Sequence, residues 1–216
     1  MITVQIKNYT KIIKKKTILD NVTLKFESGK IYGLKGINGS GKTMLLRAIC
    51  GLIYPTSGSI IINNEILGKD ISFPRSIGAL IESPAFLPNF TGLENLKMLA
   101  AMKNVVTEQE ICSVIDAVGL VHSDKKVFRK YSLGMKQKLG IAAALMEHPD
   151  IIILDEPFNA LDEKSVKIVK ELILNEKKRG ALVILACHDS ASLYELSDIV
   201  YEIEEGVITK EVQKEA

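Results

Sequence analysis

Gly36-Ile37-Asn38-Gly39-Ser40-Gly41-Lys42-Thr43 reads G-x-x-x-x-G-K-[ST] without a mismatch. The spacing follows from what a polyphosphate requires. Glycines let the backbone curl so that successive N–H groups point inward at the phosphates. Lys42 brings a positive charge to the β and γ phosphates, and the Thr43 hydroxyl is an oxygen donor suited to Mg²⁺. The flanks supply the context that such a loop needs. Ile31-Tyr32-Gly33-Leu34 is a short apolar run that predicts a strand leading in. Met44 to Leu52 predicts a helix leading out, whose positive dipole end faces the loop.

Working outward, Val4 and Ile6 alternate as in a half-buried strand, as do Val22, Leu24 and Phe26 before the turn at Ser28-Gly29. Ser59 to Ile62 predicts a further strand after Pro55 and Gly58. From Pro84 to about Met146 the period becomes helical. Leu93, Leu96 and Ala100 share one face, and Ile111, Ile115 and Val118 another. Ile151–Leu154 is a continuous apolar run, which fits a strand buried on both faces. A helix is predicted from about Glu163, with Val166, Val169 and Ile173 as its core face and Gly180 as its stop. Leu182–Ala186 is a second buried strand. This order predicts an α/β core with a helical segment inserted into it.

The strand Ile151–Leu154 delivers two carboxylates, Asp155 and Glu156, to its C-terminal end, the edge where open α/β sheets bind ligands. Asp155 is a candidate Mg²⁺ ligand and Glu156 a candidate general base for an attacking water. Taken alone, the pair reads equally well as two surface acids. Beside the phosphate loop, the metal reading gains weight.

Composition sets the remaining bounds. The 216 residues suffice for one domain with a sizeable core, and the net charge of +2 gives no basic face of the kind nucleic-acid binders carry. Lys14-Lys15-Lys16 reads as a solvated turn. Cys50, Cys112 and Cys187 lie far apart among apolar residues, which predicts buried thiols in a reducing compartment. The N-terminus lacks the layout of a signal peptide, and no apolar run is long enough to span a bilayer. These features predict a soluble chain that reaches a membrane only through a partner.

With both motifs placed, the sequence resembles the nucleotide-binding subunits of ATP-binding cassette (ABC) transporters over nearly its whole length. The resemblance implies one ABC ATPase domain over 1–216, with a P-loop NTPase core lobe at about 1–82 and 147–216. It further implies an antiparallel β subdomain and an inserted helical subdomain at about 83–146. Tyr131-Ser132-Leu133-Gly134-Met135 resembles the signature motif Leu-Ser-Gly-Gly-Gln, keeping Ser132 and Gly134 but not the residues at 133 and 135. By resemblance, Ser132 and Gly134 meet the γ-phosphate held by a second copy of the chain. Asn159-Ala160-Leu161-Asp162 resembles the loop that passes between subunits, and His188 matches the switch histidine at the γ-phosphate.

Two positions depart from the pattern. Glu82 stands where the family has the glutamine that touches Mg²⁺, and with Ser-Pro-Ala-Phe after it resembles the bacterial subgroup exporting bacitracin-like and lantibiotic peptides. A carboxylate close to a polyphosphate is unfavourable unless Mg²⁺ offsets it, so steep Mg²⁺ dependence is expected. Ile13 stands where an aromatic usually stacks on adenine, with Tyr9 nearby, so modest ATP affinity and weak base discrimination are expected.

The segment from Phe90 to Leu96 resembles the start of the helical subdomain. Phe86, Leu87 and Phe90 are candidates either to contact a membrane subunit's helix or to seat that subdomain. The implied machine is an ATP- and Mg²⁺-dependent exporter motor on the inner face of the plasma membrane. It works as a dimer of two copies bound to an integral membrane subunit, without nucleic acid, and the chain's end soon after Gly206 implies no appended regulatory domain. A soluble ABC ATPase for assembly, repair or translation is the alternative, but no coiled-coil or zinc insertion and no second cassette are present. A small P-loop kinase leaves Ser132 and His188 unexplained.

Overall fold

Two hydrophobic patterns, alternating and continuous, sort the strands into two sheets. The computed structural model describes residues 1–188 and 190–214. The alternating strands β1 (Thr3–Ile13), β2 (Lys16–Glu27), β4 (Ser57–Ile62) and β5 (Glu65–Ile66) form an antiparallel sheet in the order β2-β1-β4-β5. Its inner face carries Val4, Ile6, Val22, Leu24 and Phe26, all buried. The continuous runs β3 (Ile31–Lys35), β7 (Ile151–Asp155) and β8 (Leu182–Cys187) lie at the centre of a second sheet. With β6 (Ile77–Leu80), β9 (Ile199–Glu204) and β10 (Val207–Gln213) its order is β10-β9-β3-β8-β7-β6. Every pairing from β9 to β6 is parallel, and only β10 runs antiparallel. Buried on both faces, these strands need no polar alternation.

Each face of the parallel sheet has its own core. On one face α1 (Lys42–Ile49) packs with the antiparallel sheet through Leu45, Leu46 and Ile49. On the other lie α4 (Leu133–Leu145), α5 (Glu163–Arg179) and α6 (Ser190–Leu196), joined by the Leu96, Ile111 and Ile115 faces of α2 (Gly92–Ala100) and α3 (Glu108–Ala117). Thr91 and Thr107 begin α2 and α3 with reciprocal capping boxes to Glu94 and Glu110. Ser132 begins α4, its hydroxyl accepting the Met135 N–H at 3.2 Å. α5 ends at Gly180, whose φ of 99° suits glycine. No helix among the described residues is long and apolar enough to cross a membrane.

Local differences from the sequence expectations have tertiary causes. The helix after the loop starts at Lys42 and stops at Ile49, because Gly51 turns the chain with φ of 78°. Cys50 and Cys187 are buried, but Cys112 is only half-buried, since α3 turns it toward the edge of its packed face. Val166 is likewise half-buried, while Val169 and Ile173 reach the core. Lys14 and Lys15 form the turn between β1 and β2, as solvated lysines should.

Candidate functional site

The phosphate loop joins the C-terminal end of β3 to the start of α1. Gly41 is the residue before the helix, and its φ of 113° is one that a side chain would oppose. The Lys42 Nζ donates to the carbonyls of Gly36 at 2.6 Å and Ile37 at 3.0 Å, so the ammonium lies along the loop's own rim. The loop borders two cavities. One, of ≈ 470 Å³, is lined by Lys42, Thr43, Glu82, Asp155, Glu156 and Gln137. The other is lined by Lys16, Ile18, Gly36, Ser40, His188 and Glu202.

Asp155 and Glu156 arrive at the C-terminal end of β7, between β6 and β8. Thr43 Oγ1 donates to Asp155 Oδ2 at 2.7 Å, which brings the two motifs into contact although 112 residues separate them. Burial pushes the Asp155 carboxyl above the usual carboxylate range and the nearby Glu82 charge adds to it. The Thr43 hydroxyl, the Lys42 ammonium and the Glu82 N–H pull the other way. Hydroxyl and carboxylate oxygens at one spot beside a phosphate loop are the donor chemistry that would suit Mg²⁺.

Glu156 is the next residue, and its backbone sits at φ of 50°, unusual for a side chain that is not glycine. Its N–H donates to the Ala186 carbonyl at 2.7 Å. Its Oε2 lies 2.7 Å from His188 Nδ1, so the carboxylate accepts and Nδ1 carries the proton in that pair. Glu82 and Ala160, at φ of 58° and 61°, are further non-glycine residues in this left-handed region around the cavity. Such backbone costs about 1–3 kcal/mol per residue and clusters where a site imposes it.

The other candidates are placed less uniformly. Glu82 lines the phosphate cavity, but its carboxylate pairs with Arg47 at 2.9 Å, and its main-chain N–H faces Asp155. Ile13, 38 % exposed, pairs with Lys16 at the end of the β1–β2 hairpin and lines neither cavity; Ile18 of β2 lines both. Tyr9 is no substitute, being fully buried with its hydroxyl donated to the Ile53 carbonyl. Ser132 is exposed at the start of α4 and lines neither cavity. Gly134, two residues on, packs so closely on the loop after Glu156 that an added Cβ would stand 2.7 Å from the Ala160 carbonyl oxygen. Phe86 meets Phe128 edge-on at 5.2 Å and seats the helical segment, whereas Leu87 and Phe90 are 49 % and 41 % exposed.

Sequence reasoning passed over Arg47, Ile18 and Gln137. Gln137 carried a readable signal. It stands four residues before Ile141 and eight before Leu145, a polar residue on the apolar face of α4. Arg47 carried none, because its partner Glu82 is distant in the chain.

Comparison with known proteins shows the family and the fold. The family profile described as ABC transporter matches residues 19–159. The chain is 50 % identical over 203 residues to the uncharacterized ABC transporter ATP-binding protein YybJ of Bacillus subtilis, covering 94 % of this chain and 93 % of the relative. It is 38 % identical over 208 residues to the lantibiotic transport ATP-binding protein SrtF of Streptococcus pyogenes, covering 96 % and 89 % respectively. Among solved structures, the dimeric structure of the bacterial ABC transporter cassette MJ0796 superposes with a TM-score of 0.90 at 25 % identity, covering 99 % of each chain.

Proposed function

The chain belongs to the ABC transporter family, and from that premise we propose how its own residues carry out the work. It is the ATP-binding and ATP-hydrolysing subunit of a transporter. The observation that carries the residue assignment is the contact between motifs: Thr43 on Asp155, with Glu156 next in the chain and paired to His188. Gly36, Ile37, Asn38, Gly39, Ser40 and Gly41 wrap the phosphates with main-chain N–H groups, and Lys42 leaves its loop carbonyls for the β and γ phosphates. Thr43 and Asp155 hold Mg²⁺, which when bound neutralises charge on the phosphate oxygens. Glu156 takes the proton of the attacking water, and His188 orients that carboxylate while presenting its other ring nitrogen toward the γ-phosphate.

Ser132 and Gly134 close the site of a second copy. Their support is that Ser132 caps α4 in the open and that neither it nor Gly134 lines a cavity of its own chain, although Leu133 and Lys136 beside them border the phosphate cavity. The helical segment at about 83–146, with Leu87 and Phe90 at its surface, receives a helix of an integral membrane subunit on the cytoplasmic face. Closure on ATP moves that subunit and hydrolysis resets it. Similarity to a lantibiotic transport protein, with Glu82 at its position, favours peptide export. The test is Glu156→Gln. It retains ATP binding, loses turnover by roughly 10²-fold or more, and elutes as a dimer with ATP and Mg²⁺ in gel filtration. A monomer under those conditions refutes the sandwich mechanism.

A further inference from the structure

Glu156 is held from four directions, and one of the holds comes from the signature helix. Its N–H is fixed by the β8 carbonyl of Ala186 at 2.7 Å. Its carboxylate meets His188. Its carbonyl accepts the Asn159 N–H at 3.2 Å, closing the turn that follows. The same carbonyl accepts Gln137 Nε2 at 3.0 Å. Gln137 is buried, and buried amides persist where their hydrogen bonds are made. It stands in the second turn of α4, just beyond Ser132 and Gly134. At φ of 50° the Glu156 backbone is held by its surroundings against its own preference, so removing one hold has consequences for the side chain it aims.

We propose that Gln137 is a positioning residue that makes the placement of the Glu156 carboxylate depend on the position of α4. The start of α4 is the part of the chain that meets the other copy's nucleotide, and Gln137 ties that helix to its own chain's base by a side-chain bond to the main chain. Gly140, one turn further, seats α4 against Leu80 and Pro84; an added Cβ there would lie 2.8 Å and 2.9 Å from their side chains. α4 therefore moves with little slack against the sheet, and a shift at its first turn reaches Glu156 through Gln137. Hydrolysis at one site then senses whether this helix is engaged at the other.

The inference rests on Glu156 as the general base, and the experiment separates the two. Gln137→Met removes the donor at similar length, and Gln137→Lys keeps a donor that reaches the same carbonyl. Turnover, affinity for a fluorescent ATP analogue and melting temperature are measured for both, beside Glu156→Gln. The expected result for Gln137→Met is a kcat lower by roughly tenfold, with KM and analogue affinity within about twofold. Melting is unchanged, and Gln137→Lys recovers kcat to within about threefold of the parent chain. Full turnover in Gln137→Met, or equal losses in the Met and Lys variants, overturns the proposal, as does a loss that follows the melting temperature. If Gln137→Met does not fold, the Lys variant decides alone: near-parent kcat supports the proposal and a tenfold loss overturns it. Retained turnover in Glu156→Gln removes the premise itself. An inactive Glu156→Gln beside a fully active Gln137→Met removes only the role of Gln137.

Discussion

Arg47 Nη2 lies 2.9 Å from Glu82 Oε2, which joins the helix after the phosphate loop to the segment after β6. A carboxylate at position 82 would repel a polyphosphate, and here a guanidinium on the adjoining helix answers its charge. Both partners are substantially exposed, so the pair contributes about 0–1 kcal/mol. Arg47→Ala is therefore expected to raise KM for ATP by up to about fivefold. Adding Glu82→Gln to Arg47→Ala should restore it, because the uncompensated charge is gone. Glu82→Gln alone should flatten the Mg²⁺ titration of steady-state hydrolysis, and an unchanged titration counts against a role for Glu82 at the metal.

The buried Asp155 gives a pH-dependent prediction. Its raised carboxyl pKa means that the folded state binds the proton more tightly than the unfolded chain. The stability this confers is present below the ordinary carboxylate range and lost as pH rises through the raised value. Asp155→Asn keeps an oxygen for the Thr43 hydroxyl without the charge. Without nucleotide the variant should melt above the parent chain at about pH 8, and the gap should close as the pH falls toward about 4. Turnover is lost throughout. A gap that widens on acidification contradicts the argument.

Two glycines, Gly78 of β6 against α4 and Gly134 in the first turn of α4, should respond unequally to a methyl group. A Cβ on Gly78 would overlap the Ala144 carbonyl oxygen, where β6 and α4 are both fixed in the core. Gly78→Ala should cost about 3 kcal/mol or more, lowering Tm by roughly 6–12 °C in a chain of this length. A Cβ on Gly134 would meet only the Ala160 carbonyl of a surface loop. Gly134→Ala should cost about 1 kcal/mol, with its larger effect on ATP-dependent dimerisation. Thermal unfolding and gel filtration separate the two, and equal Tm losses contradict the assignment.

Base recognition offers a further check. Ile18 and Asn38 line both cavities beside the phosphate loop; Asn38 belongs to the phosphate loop itself, and the aliphatic Ile18 has no donor or acceptor with which to read a base edge. KM values for ATP and GTP should lie within about fivefold of each other. Ile18→Ala should raise both, while Ile13→Ala, at the exposed hairpin end, should leave both unchanged.

The parts of this architecture legible in the sequence are those encoded over a few residues. The phosphate loop, the doubly buried strands Ile151–Leu154 and Leu182–Ala186, the Ser132 cap and the Gly180 stop each carry their reason within one turn or strand. Asp155 and Glu156 could be placed at a strand end, because parallel strands deliver their C-terminal residues to one edge. What sequence could not supply depends on how distant segments meet. Ile13 follows the family's register but stands at the exposed end of the β1–β2 hairpin, outside the lining of both cavities, whereas Ile18 lines both. Arg47 and Glu82 lie far apart in the chain, one in α1 and the other after β6, and only the folded structure makes them partners. Phe86, Leu87 and Phe90 looked equivalent; one ring contact with Phe128 distinguishes the first from the others.

The ammonium of Lys42 already donates to two carbonyls of its own loop. A phosphate therefore gains Lys42 by exchange, giving up two good acceptors for one better one, and the net gain is the difference. The loop's own carbonyls thus compete with any phosphate for this lysine.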